Sequence, residues 1–138
     1  AVKVGMNISV ACPKGYEPEE QIVKECMKVA QQNQCHVYVT EDPMEAIKDA
    51  DVVVTDVWAS MGDEDERDVR LQHFKGYQVN EEICKHAKDD FIFLHCLPAH
   101  RGEEVTEEII DGKHSVVFDE AENRLHVQKA LLHIFMND

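Results

Sequence analysis

Asp51-Val52-Val53-Val54-Thr55-Asp56 is the stretch whose reading decides the fold. Three consecutive β-branched residues between acidic ends are too short for a helix. They are also too apolar for a strand with one wet face, so they read as a strand buried on both faces of a sheet. Outward from this run, β-branched stretches and amphipathic stretches alternate. On the amino-terminal side, Met6–Ala11 reads as a strand, Pro13-Lys14-Gly15-Tyr16 as a turn, and Pro18 as the first position of a helix with Glu19 and Glu20 in its first turn. Ile22, Cys26 and Val29/Ala30 recur there at helical spacing. Cys35–Thr40 is the next strand, and Asp42-Pro43 opens a short helix to about Asp49 as N-cap and first-position proline.

On the carboxyl-terminal side, the spacing predicts a charged helix over Asp63–Phe74 and a second one capped by Asn80 and running through Ala87. Then come a strand at Phe91–Leu94, a helical turn at Thr106–Ile110 and a strand at Ser115–Phe118. A closing helix is expected from about Glu120 to Phe135, with Leu125, Leu132 and Phe135 toward the core. Strands separated by helices imply parallel strands joined by right-handed crossovers. The expected class is α/β, an open, mostly parallel sheet with helices on both faces, Rossmann-like.

Composition narrows the partners. The 138 residues suit one domain, and 28 acidic against 14 basic residues leave a net charge of −14. Nucleic acid and anionic membrane surfaces both need a basic footprint, so neither is an expected partner. No apolar run approaches the roughly 18 residues of a membrane span. Ala1–Ala11 lacks the charged start and long apolar stretch of a signal peptide, and because the chain does not open on Met a preceding segment is expected. Cys12, Cys26, Cys35, Cys84 and Cys96 are odd in number with no C-x-x-C pair, which points to reduced thiols in an intracellular compartment rather than disulfides or a structural zinc site.

In open α/β sheets ligands bind beyond the carboxyl ends of the strands. The sequence has no G-x-G-x-x-G, P-loop, H-E-x-x-H or G-x-S-x-G, and Asp63-Glu64-Asp65-Glu66 lacks EF-hand spacing, so no cofactor and no metal is expected. Three strand-end segments hold the chemistry. In His95-Cys96-Leu97-Pro98-Ala99-His100-Arg101, a cysteine beside two histidines and an arginine is placed for a lowered pKa and thiolate chemistry, or is a small buried hydrophobe. A transition-metal site from His95, Cys96 and His100 is disfavoured, because neighbours along an extended loop rarely point at one centre. Asp56, before Val57-Trp58-Ala59-Ser60-Met61-Gly62, either binds a cation or caps a turn. Arg124 in Glu120-Ala121-Glu122-Asn123-Arg124 either forks onto a ligand oxygen or pairs with Glu120 one turn away.

Asp56–Gly62, His95–Pro98 and Glu120–Arg124 together resemble the ornithine carbamoyltransferases, as do Lys14-Gly15-Tyr16-Glu17-Pro18 and Phe74-Lys75-Gly76-Tyr77-Gln78-Val79. The likeness spans essentially the whole chain and corresponds to the family's second, ornithine-binding domain. It implies transfer of a carbamoyl group from carbamoyl phosphate to ornithine, giving citrulline and phosphate, in arginine biosynthesis or urea-cycle chemistry. By this resemblance Cys96 contacts the attacking amine and the carbamoyl group, His95 supports its loop, the Leu97 carbonyl engages the carbamoyl amide and Arg124 holds the carbamoyl oxygen. Asp56 binds the ornithine α-ammonium, and Ser60 and Met61 come from a loop that closes over substrate. The resemblance further implies a trimer-based homo-oligomer in the cytoplasm, or in the mitochondrial matrix of a urea-cycle organism.

The family's phosphate-binding Ser-Thr-Arg-Thr, its His-Pro-x-Gln and its Gly-Asp-Gly-Asn-Asn segments do not occur here, and Ala1–Gly5 resembles the end of a helix that follows the last of these. Residues 1–138 are therefore expected to form the ornithine-binding domain, incomplete at its amino terminus, with its first and usually central strand and the carbamoyl-phosphate-binding domain absent. Apolar edges near Val52–Val54 should then be unpaired. Two rivals remain: a carbamoyltransferase for another amine such as putrescine, and a non-catalytic amino-acid-binding module.

Overall fold

A computed structural model of the chain describes residues 1–59 and 64–137. After a single 3-10 turn at Val2–Val4, the elements are β1 (Ile8–Ala11), α1 (Glu20–Gln32), β2 (Val37–Thr40), α2 (Pro43–Ile47), β3 (Val52–Thr55), α3 (Glu64–His73), α4 (Glu81–Cys84), β4 (Ile92–His95), α5 (Glu107–Ile110) and α6 (Val117–Met136). The expected alternation and α/β class hold. Two caps anticipated from sequence form: Asp42 Oδ1 accepts the Met44 N–H at 2.8 Å with Pro43 at the helix start, and Asn80 Oδ1 accepts the Ile83 N–H at 3.0 Å. The first helix begins later than expected, with Glu19 at its N-cap, so Pro18 lies ahead of it.

β1 pairs with β2 in parallel, Ile8 opposite Val37 and Ala11 opposite Thr40. β3 pairs with β4 in parallel, Val52 opposite Ile92 and Thr55 opposite His95. Among the described residues these are two separate two-stranded sheets, not one continuous sheet. β3 is accordingly not buried on both faces. Val53 is 7% exposed, but Val54 is 62% exposed and Ile92, on the neighbouring strand, 39%. Successive side chains of a strand point to opposite faces. The face carrying Val53 and Phe93 packs on Ile83, Ile109, Ile110 and Val117, while the other face has no such cover.

The core is divided in the same way. The larger cluster surrounds β3 and β4, where Phe93 and Val105 are fully buried, and a small one joins Val2, Ala30 and Cys35 beside β1 and β2. In α1 it is Val23, Cys26, Val29 and Ala30 that turn inward, whereas Ile22 is exposed.

Two expectations near the carboxyl terminus fail. Ser115–Phe118 is not a strand: Ser115 forms one isolated bridge to Phe93, the Val116 N–H bonds the Phe93 carbonyl at 3.0 Å, and the Glu120 N–H then closes a helical turn on the Val116 carbonyl. Nor do Leu125, Leu132 and Phe135 face a core, being 66%, 61% and 76% exposed. Only Val117 of α6 is buried, and Val127, Leu131 and Ile134 stand out on its other sides. A helix apolar around much of its circumference is one that larger surroundings enclose.

Gly112, just beyond α5, is a position where only glycine fits, since a Cβ there would run into the Glu108 carbonyl oxygen. This division of packed and unpacked surface sets the expected response to truncation. Phe93→Ala should cost about 3–5 kcal/mol, the range for a fully buried phenylalanine. Leu132→Ala should stay within about 0.5 kcal/mol, as for an exposed site. Urea unfolding of both variants measures the contrast, and similar losses would show that α6 is packed in solution.

Candidate active site

The β3–β4 register builds the site. Thr55 lies opposite His95, so the next residues, Asp56 and Cys96, leave the sheet side by side at its carboxyl edge. The Cys96 thiol donates to Asp56 Oδ1 at 3.2 Å, and both residues are exposed. Asp56 Oδ1 also accepts the Val57 N–H at 2.7 Å. One oxygen of Asp56 thus serves two internal partners, the following main-chain N–H and the Cys96 thiol.

His95 occupies the opposite, buried face and is fully enclosed. Its Nδ1 lies 2.9 Å from the Leu97 N–H, which can only donate, so Nδ1 carries the lone pair. Nε2 is then the protonated nitrogen and donates to Glu104 Oε1 at 3.2 Å. Glu104, also fully buried, accepts the His100 N–H through the same oxygen at 2.6 Å. One histidine and one glutamate therefore hold both ends of the Leu97–His100 turn. That turn contains a cis Leu97–Pro98 bond and places Leu97 at φ 56°, a left-handed conformation uncommon for leucine. His95 is thus bonded to the main chain of this loop. Glu104 was not anticipated, because in sequence it is one carboxylate among Glu103, Glu104, Glu107 and Glu108, and only its burial distinguishes it.

The thiol is tuned opposite to expectation. Its hydrogen bond to the Asp56 carboxylate is the largest cause, followed by partial desolvation and the negative charges of Asp56 and Glu120, and together they raise Cys96 above the ordinary value of 9.0. The groups expected to lower it point elsewhere. His95 is turned inward to Glu104, the His100 ring lies 3.8 Å from Glu104, and Arg101 forks onto Asp111 at 2.7 and 2.8 Å.

Side-chain atoms of Asp56, His95 and Cys96 come within 4.8 Å of one another, as do those of His100, Glu103 and Glu104. A metal at the first group would have to take His95 from Leu97 or Glu104 and Cys96 from Asp56. At the second it would compete with the Arg67 guanidinium, which is paired with Glu103. The first donor set is committed to internal partners, whereas in the second Glu104 Oε2 is buried without a hydrogen-bond partner, 3.8 Å from the His100 ring. His100 belongs to the second group, so His95, Cys96 and His100 do not converge.

Arg124 stands on an exposed part of α6, and no hydrogen bond or ion pair to it is found among the described residues, including the pair with Glu120 considered from sequence. Ser60 and Met61 lie outside the described residues. Leu97 sits in the turn just described, half-buried.

An aromatic cluster, unforeseen in sequence, joins the carboxyl ends of β1 and β3. Phe74 lies 4.9 Å from Tyr16 and 5.6 Å from Trp58 between ring centroids. Arg70 bonds the Trp58 carbonyl at 3.1 Å, with its guanidinium 5.8 Å from the Tyr16 ring. A cleft of about 470 Å³ runs from this cluster and Asp56 down between β1 and β3.

The family model described as "Aspartate/ornithine carbamoyltransferase, Asp/Orn binding domain" matches residues 1–135. An ornithine carbamoyltransferase of Anoxybacillus flavithermus is 61% identical over 132 residues, which are 96% of this chain and 42% of that protein. The solved structure of ornithine carbamoyltransferase from Pyrococcus furiosus superposes with a TM-score of 0.90 at 53% identity, covering 95% of this chain and 42% of that one. Anabolic ornithine carbamoyltransferase from Campylobacter jejuni gives 0.90 at 46% identity, covering 96% of this chain and 44% of that one. The 138 residues thus span less than half the length of these relatives, and within that span the chain belongs to the aspartate/ornithine carbamoyltransferase family, matching its Asp/Orn-binding domain.

Proposed function

We propose that this chain supplies the ornithine side of an ornithine carbamoyltransferase, in which carbamoyl phosphate and ornithine give citrulline and phosphate. The observation that carries the reading is the juxtaposition of the Asp56 carboxylate and the Cys96 thiol, 3.2 Å apart at the ends of adjacent parallel strands. An amino acid with two amines needs a carboxylate for its ammonium and a group that contacts the attacking nitrogen. A free alkylammonium has a pKa of about 10.4 and must lose its proton before its lone pair can attack the carbamoyl carbon. As that bond forms, the carbamoyl–oxygen bond breaks and phosphate leaves with the electron pair.

Asp56 couples the two tasks. In the free protein its carboxylate accepts a hydrogen bond from the thiol and so favours the protonated form of Cys96. An ammonium arriving at Asp56 competes for that carboxylate and brings a positive charge beside the sulfur. Both changes favour the thiolate, the thiol proton passing to solvent, and the thiolate then takes the proton that the side-chain ammonium loses as it becomes the attacking amine. His95 and Glu104 hold the turn so that the Leu97 carbonyl is fixed for the carbamoyl amide, and Arg124 takes the carbamoyl oxygen. Ser60 and Met61 hold the rest of the amino acid.

Phosphate binding needs arginines or helix-terminal amides. Of the four arginines, Arg67 is paired with Glu103, Arg70 with Glu66 and Arg101 with Asp111, within a net charge of −14. The proposed activity therefore belongs to a longer polypeptide with a carbamoyl-phosphate-binding domain, consistent with relatives more than twice this length. Arginine biosynthesis, a place inside the cell and a trimer-based assembly follow from the same family reading.

Three outcomes are expected. The purified 138-residue chain should form no citrulline, and turnover by it would overturn the need for a second domain. In a longer form, Cys96→Ala should lower turnover strongly with little change in Tm, whereas a large Tm loss with turnover intact would make Cys96 a packing residue. Asp56→Asn should weaken ornithine binding by about 1.5–3 kcal/mol, the range for hydrogen bonds to charged groups. Calorimetry with ornithine and then carbamoyl phosphate should find the loss for the first ligand alone.

The thiol supplies an independent check. Because Asp56 raises the Cys96 pKa, Cys96 alkylation by iodoacetamide should inflect above pH 9 in the free chain. The inflection should move down in Asp56→Asn and on adding ornithine to the native chain. Cys84, pushed up to about 11 by burial, serves as the unaffected internal standard in peptide mapping. An inflection that ignores ornithine would argue against the coupling.

A further inference from the structure

Glu104 keeps one polar atom to spare. Its side chain is fully enclosed, and Oε1 already accepts from His95 Nε2 and from the His100 N–H. Oε2 is buried and bonds nothing among the described residues, yet it lies 3.8 Å from Nδ1 of His100. Buried carboxylate oxygens are normally satisfied in folded proteins, so this one calls for a partner. The separation is too long for a hydrogen bond, but two metal–ligand bonds of about 2.1 Å reach across up to about 4.2 Å. The Glu103 carboxylate completes a group of three donors whose ligand atoms all lie within 4.8 Å of one another.

The main chain holds these donors in place. The Glu103 N–H closes a turn on the His100 carbonyl at 3.0 Å, with Gly102 in the left-handed region at φ 88°. The Gln78 amide donates to the Gly102 and Glu103 carbonyls, both at 2.9 Å, and the Val79 N–H bonds the Glu104 carbonyl at 2.9 Å. His95 acts as an outer partner, orienting the Glu104 carboxylate through the oxygen that does not face His100. A route in from solvent exists, since the His100 side chain is 49% exposed and that of Glu103 25%. The net charge of −14 favours cations near the surface. Arg67 guards the group, its guanidinium being paired with Glu103.

We propose that His100 Nδ1, the Glu103 carboxylate and Glu104 Oε2 form a binding site for a divalent first-row transition-metal ion such as Mn2+, Co2+ or Zn2+. One imidazole and two carboxylates are a mixed nitrogen–oxygen set that suits these ions, whereas Mg2+ and Ca2+ prefer oxygen donors alone. No thiolate belongs to the set, because the Cys96 thiol is bonded to Asp56. On binding, the Glu103 carboxylate turns from the Arg67 guanidinium to the ion, and water completes the coordination. The ion then joins Glu104 to the His100 ring and ties the turn to the core a second time. The proposal is independent of the ornithine reading, since neither Asp56 nor Cys96 is a ligand.

Co2+ is the probe, because its visible absorption reports nitrogen and oxygen ligands while a thiolate ligand adds an intense near-ultraviolet charge-transfer band. The 138-residue chain is titrated with cobalt chloride and followed by absorbance and calorimetry. One saturable site per chain is expected, without the thiolate band, and Cys96→Ala should leave its affinity unchanged. His100→Ala and, separately, Glu103→Gln should each weaken Co2+ binding by about tenfold or more, since even an outer partner of a metal ligand is worth about 10–100-fold. Both substitutions fall on partly exposed side chains, and retention of the parent far-UV circular dichroism shows that the variants fold. Arg67→Gln removes the competing cation and should tighten binding. An excess of Mg2+ should not displace the ion.

The absence of saturable Co2+ binding overturns the proposal and leaves Glu104 Oε2 to a buried water. A thiolate band that disappears in Cys96→Ala also overturns it, because the ion then sits at Asp56 and Cys96. So does an affinity unchanged in either His100→Ala or Glu103→Gln, one that fails to rise in Arg67→Gln, or displacement by Mg2+.

Discussion

The parallel register of β3 on β4 is the constraint on which the site depends. With Thr55 opposite His95, Asp56 and Cys96 have no choice but to emerge as neighbours, though 40 residues separate them in sequence. Shifting the pairing by one residue would turn every side chain to the other face. His95 would leave the core, Phe93 would enter solvent, and the thiol would lose its carboxylate. The fully buried Phe93 and His95 against the exposed Ile92 pin the register, so the apolar core and the Asp56–Cys96 pair have one common cause.

A buried charge-capable pair enforces the geometry beyond the sheet. Enclosing a glutamate without partners costs several kcal/mol, and removing one member of a buried pair typically costs about 3–5 kcal/mol. Glu104 offsets its own burial by accepting from His95 and from the His100 N–H through one oxygen. Its other oxygen, buried without a hydrogen-bond partner, has the His100 ring 3.8 Å away. The outcome is a turn specified by position rather than by stability, with Leu97 held in a left-handed conformation and the thiol one residue from a fixed histidine. A turn held this closely requires support from rigid neighbours, and here the support comes from the core side of the same strand.

The two-part architecture explains which surfaces are unfinished. Each two-stranded sheet has its own small core, and a hairpin-sized sheet alone is marginal in water. The aromatic cluster of Tyr16, Trp58, Phe74 and Tyr77 and the short helix α2 bridge the pairs. The exposed Val54 face and the apolar flanks of α6 have no packing partner among the described residues.

The sequence by itself determined the order and type of most elements, because β-branched runs, the Asp42-Pro43 start and the Asn80 cap act locally and their signals survive in any context. It also determined family membership, since Asp56–Gly62, His95–Pro98 and Glu120–Arg124 in that order are residue-level signals, and it foresaw the unpaired edge at Val52–Val54. It misjudged Ser115–Phe118, where β-branched residues enter a helix after a single bridge, and the burial of Leu125, Leu132 and Phe135. Hydrophobic spacing reports which side of a helix wants cover but says nothing of whether cover is present. Only the tertiary structure decided that Glu104 is buried, that Arg101 turns to Asp111, and that Cys96 is raised rather than lowered in pKa. Each of these follows from which groups the fold brings within a few ångströms, and electrostatic effects fall off with distance in space, not along the chain.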